Sequence, residues 1–66
     1  MNKKLKAKII EHFGSQFHFA LAIGSHESTV SKVIRGHKDL DEASRKKWAD
    51  TLGVDDPDRL FREATI

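Results

Sequence analysis

Four positions in the stretch from Gln16 to Gly36, QFHFALAIGSHESTVSKVIRG, constrain this chain more than any others: Ala20, Gly24, Val30 and Val33. Two helices that cross closely need a small residue midway along the first, and Ala20 supplies it. A sharp turn then needs a residue at positive φ, which Gly24 adopts without steric cost. Val30 and Val33 follow beyond the turn, three apart, so both side chains fall on one face of a second helix and pack it back onto the first. Phe19 and Ile23 flank Ala20 on one arc of the first helix and complete its buried face. The register predicts a helix-turn-helix over residues 16–36, against the plainer alternative of an αα-hairpin that merely packs.

Length limits what can surround this unit. Sixty-six residues make one domain, 1–66. A chain of that size buries only roughly 60% of its unfolded surface, which leaves no room for an enzyme pocket or a ligand-sensing domain beside it. Cysteine is absent, so disulfides and thiolate metal sites are excluded, and a reducing, cytoplasmic setting is expected. The opening MNKKLKAKII is too short and too interrupted in its apolar part for a signal peptide. No run approaches the roughly 18 apolar residues of a membrane span.

The net charge of +2 conceals an asymmetry, since residues 1–38 carry +5 and residues 39–66 carry −3. A basic half and an acidic half suggest a bipolar molecule with one face for a polyanion. Ordinary solvated charge would give the same totals. Lys32, Arg35 and Lys38, however, fall inside or just after the second helix of the motif.

Along the chain, Asn2 is a plausible cap for a helix over about Lys3 to Phe13. Leu5, Ile9 and Phe13 recur every four residues there, and Ile10 is expected to widen that stripe. Four lysines near its start oppose the helix dipole, so phosphate contact or solubility has to explain them. Gly14 ends this helix and Ser15 caps the next, Gln16 to Ile23. Phe17 and Leu21 lie on an arc adjacent to the core-facing one. The preferred expectation is that they seal the first helix against the second; the alternative is an exposed patch for a partner. Ser25 or His26 caps the third helix, which points Val30, Val33 and Ile34 inward and stops at Gly36. Asp41 caps a fourth helix carrying Trp48 and Leu52 on one face, with Gly53 ending it and Val54 folding back. Asp56 and Pro57 open a fifth, with Leu60, Phe61 and Ala64 at helical spacing. The predicted class is an all-α, compact five-helix bundle.

With these residues placed, FALAIGSHESTVSKVIRG, the GHKDLD loop and the KKWADTLGV segment resemble the five-helix DNA-binding domain of phage repressors and Cro proteins, the XRE type. The resemblance implies a lambda-repressor-like fold over about Leu5 to Arg62. It also implies a third helix, about residues 27–35, lying in the major groove. On that basis Glu27, Ser28 and Lys32 face bases, with Ser31 and Arg35 at their edges. Gln16 binds a phosphate through its amide and the helix N-terminus, and Lys38, with His37, grips the neighbouring backbone. His26, flanking the reading helix, joins the phosphate-contacting set. Two departures stand out. Ser25 occupies a position that is usually aliphatic, and Glu27 one that is often Gln or Arg. A carboxylate there either accepts from cytosine N4 or simply favours the helix dipole.

Other chemistry finds little footing. His12, His18, His26 and His37 show no i,i+4 pair on one helix and no metalloprotease spacing, so no metal and no cofactor are expected. No GxSxG elbow organises a serine nucleophile and no glycine-rich loop cradles a nucleotide, so an enzyme is not expected. The expected function is a sequence-specific transcriptional regulator binding a double-stranded DNA operator, and the resemblance implies a homodimer on two half-sites about 34 Å apart. No membrane or small-molecule partner is expected. The competing class is a protein-interaction module on the same fold, an antitoxin or host-factor-binding phage protein, using a Phe17/Leu21 patch.

Overall fold

A helix begins at Lys3 because Asn2 is there to start it. The Asn2 side-chain oxygen accepts from the Leu5 N–H at 2.9 Å, taking up a first-turn donor that has no partner within the helix. A computed structural model of the chain describes residues 1–61, and these form five helices and no strand. They are α1 (Lys3–Phe13), α2 (Gln16–Ile23), α3 (Glu27–Arg35), α4 (Glu42–Thr51) and α5 (Pro57–Phe61). The predicted caps recur at three of the other four starts: Ser15 accepts from the His18 N–H, Asp41 from Ser44 and Asp56 from Asp58. Leu52, rather than Gly53, is the capping residue of α4; the Val54 N–H then reaches the Ala49 carbonyl at 2.8 Å, closing the last turn as expected.

The core is a ring of inward faces. Leu5 and Ile9 of α1, Phe19, Ala20 and Ile23 of α2, and Val30, Val33 and Ile34 of α3 meet Trp48, Ala49 and Leu52 at the end of α4 and Leu60 of α5. An aromatic ladder runs through it. Phe13 meets Phe19 edge-on at 5.3 Å between centroids, Phe19 meets Trp48 at 5.1 Å, and Trp48 meets Phe61 at 6.1 Å. The first two are edge-to-face, a geometry that adds about 0.5–1.5 kcal/mol per contact beyond area burial. The radius of gyration, 10.6 Å, is close to the roughly 10.5–10.8 Å expected for a compact chain of 61 to 66 residues. Among the described residues no helix is long and apolar enough to cross a membrane.

Two expectations fail. Ile10 does not widen the α1 stripe; it is 45% exposed, because Leu5, Ile9 and Phe13 already fill the face that α2, α3 and α5 offer. Phe17 and Leu21 do not seal α1 against α2, being 51% and 61% exposed. The arc holding Phe19, Ala20 and Ile23 makes all the contacts with α1, α3 and α4 that the core requires, and its neighbour turns to solvent. Ala64 and the tail beyond it lie outside the described residues.

Candidate nucleic-acid interface

The turn between α2 and α3 sets the attitude of α3. Gly24 sits at φ 70°, and the next residue closes the turn as the Ser25 N–H donates to the Ala20 carbonyl at 2.8 Å. Ser25, in place of an aliphatic residue, is half-buried and leaves this geometry intact. Lys47 of α4 reaches across to the last carbonyl of α2, its Nζ donating to Ile23 O at 3.3 Å, where a cation also suits the helix dipole. Asn2 fixes the far end of α3, since its backbone N–H donates to the Ile34 carbonyl at 2.6 Å.

Held in this way, α3 buries Val30, Val33 and Ile34 and turns its other side outward. Glu27, Ser28, Lys32 and Arg35 are exposed and Ser31 is half-buried. His26 occupies the capping position of α3, yet its side chain makes no capping bond, and neither does Ser25. An imidazole there finds no first-turn N–H in reach, so Glu27 alone supplies the negative charge that the helix start favours.

A cleft of about 450 Å³ opens where α1, the start of α2 and α3 meet. Gln16, Glu27, Ser28, Ser31 and Arg35 line it together, so five of the nine sequence-predicted site residues share one concavity. Ser15 satisfies the His18 N–H, and by helix geometry the Gln16 and Phe17 amides lie ahead of it, at the open end of α2. Lys32, one turn beyond Ser28, is exposed outside the cleft. His26 precedes α3, and His37 and Lys38 follow it, all three exposed and outside the cleft. The His37 N–H bonds to the Lys32 carbonyl at 2.8 Å, which ties the start of that loop to the helix it follows.

Sequence reasoning passed over Lys6, which lines the same cleft from α1. The signal was the row of lysines working against the α1 dipole, but nothing local separates Lys6 from its neighbours. Among the described residues Lys8 pairs with Glu11 at 3.6 Å, and the His12 ring lies 4.0 Å from the same carboxylate. Lys32, Arg35 and Lys38 therefore form no ion pair with the acids of the described residues. No three His, Asp or Glu side chains among those residues gather as metal ligands. No family model, no curated protein and no solved structure matches this chain.

Proposed function

We propose that the chain is a sequence-specific DNA-binding regulator of the lambda-repressor-like, XRE type, which inserts α3 into the major groove of an operator. One observation carries the reading: α3 is backed by three buried aliphatics and presents Ser28, Ser31, Lys32 and Arg35 outward, with a single carboxylate, Glu27, in its first turn. A helix is about 10–12 Å across with its side chains, close to the roughly 12 Å width of the major groove. Glu27, Ser28, Ser31, Lys32 and Arg35 then meet base edges, while Gln16, His26, His37 and Lys38 meet phosphates on either side. The protein works by occupancy in the cytoplasm, without catalysis, cofactor or small-molecule ligand, and pairs as a homodimer on two half-sites. Selection of bound duplexes from a random pool tests this directly. Enrichment of a motif with two-fold symmetric half-sites is expected, and recovery of random sequence would exclude base reading.

The exposure of Phe17 and Leu21 favours a second reading, a protein-interaction module on the same scaffold. An apolar pair one helical turn apart is a small docking surface, and it lies on α2 rather than on the outward face of α3. Duplex binding with steep salt dependence supports the first reading, and salt-insensitive binding of a protein partner supports the second.

A further inference from the structure

We propose that Lys6 is a phosphodiester ligand, making α1 a third DNA-contacting element beside α2 and α3; the inference rests on the DNA-binding reading above. The side chains lining the cleft include one carboxylate, Glu27, and two cations, Arg35 and Lys6, with Met1 at its edge. Without Lys6 the charges of those side chains sum to zero, and Glu27 would repel a phosphate as strongly as Arg35 attracts it. With Lys6 the cleft is cationic, and the Gln16 amide adds an uncharged donor on the same wall. When a helix fills the major groove, the elements beside it meet the sugar–phosphate strand rather than base edges. A lysine, a mobile point charge with three donors, suits that contact.

Lys3 shares a second groove with Lys6, but Lys4 and Lys8 divide from it by geometry. Lys4 and Lys8 line a different groove, floored by Val54 and Leu60 where α1 meets the α4–α5 connection. Lys8 is also paired with Glu11 at 3.6 Å. Helix geometry agrees, since positions four apart share a face and the position midway between them lies opposite. Lys4 thus provides a control with the same charge on the same helix.

The test compares Lys6→Gln with Lys4→Gln by titrating each against random-sequence duplex between 0.1 M and 0.5 M salt. Both variants lose one positive charge and one dipole-opposed lysine from α1, so diffuse electrostatics and helix stability change alike. Lys6→Gln is expected to bind roughly five- to tenfold more weakly at 0.1 M salt and to flatten the slope of log K against log salt by about 0.9. Lys4→Gln is expected to keep the wild-type slope, and Lys6→Arg to restore it. Thermal melts by circular dichroism confirm that each variant is folded. Equal losses for Lys6→Gln and Lys4→Gln, with wild-type protein binding normally, overturn the assignment of Lys6 alone. Wild-type protein that binds no duplex overturns both the assignment and the DNA-binding reading.

Discussion

At Asn2, one buried side chain joins two helices and its backbone joins a third. Its oxygen caps α1 through the Leu5 N–H, its Nδ2 donates to the Leu60 carbonyl of α5 at 2.8 Å, and its main-chain N–H serves Ile34 of α3. Asn2→Ala keeps only the last of these. Losing the cap costs about 1 kcal/mol and leaving the Leu60 carbonyl without its donor costs about another, so a destabilisation of about 2 kcal/mol is expected from urea unfolding. Asn2→Asp keeps the acceptor and loses the donor, and should fall between; an alanine variant as stable as wild type would show that the α1–α3–α5 junction is held by apolar packing alone. Asp41 acts at one helix start only. The Ser44 hydroxyl and then the Ser44 backbone N–H favour its charged form, holding the carboxyl below its ordinary range. A depressed folded value means that the stabilisation is full above the unfolded value and is lost as pH falls through the folded one. Asp41→Asn cannot titrate, so its unfolding midpoint should drop less than that of wild type between pH 7 and pH 3. Parallel drops would show that this cap carries no pH dependence.

For the elements, the starts of the helices were the most legible feature, because a cap is a local event between residues three apart. Asn2, Ser15 and Asp41 each accept from the N–H that their spacing designates. The inward face of α3 was legible too, since polar residues fill the rest of that helix and leave one apolar stripe. In α2 the same reasoning fails. QFHFALAI is apolar nearly all round, so periodicity cannot choose which arc turns outward, and the choice falls to the packing of α1, α3 and α4. Lys6 was illegible for a related reason: it shares a cleft with Gln16 and Arg35 only because α1 docks across both helices, a long-range event that no local pattern encodes. The outward residues of α3 can be tested as a set. Ser28→Ala and Lys32→Ala are expected to relax operator preference, with about 1–3 kcal/mol of discrimination lost at one base pair for each direct contact removed. Lys38→Ala, in the loop after α3, should instead weaken cognate and random duplexes about equally. Uniform loss for all three variants in competition binding would reduce α3 to a backbone contact.

At the scale of the molecule, the question is what lies across the surface from the core that Phe19 anchors. Phe17 and Phe19 are two residues apart on α2, one 51% exposed and the other fully buried against Phe13 and Trp48. Their substitutions should differ accordingly. A core of this size supplies only about 3–5 kcal/mol of net stability, and Phe→Ala at a buried site removes about as much. Phe19→Ala is therefore expected to leave the chain unfolded at 25 °C. The double variant Phe17→Ser/Leu21→Ser removes side chains that already stand largely in water, and should stay folded within about 1 kcal/mol of wild type. Circular dichroism melts decide this, and a double variant that also unfolds would restore the sealing role for the pair. Because the double substitution changes no charge and leaves the α1–α3 cleft untouched, it should retain full affinity for a duplex carrying a single half-site. Loss of binding only when two half-sites are present would identify the Phe17/Leu21 face as the contact between two copies on DNA, whereas loss on the single half-site would place α2's outer arc within the DNA footprint itself.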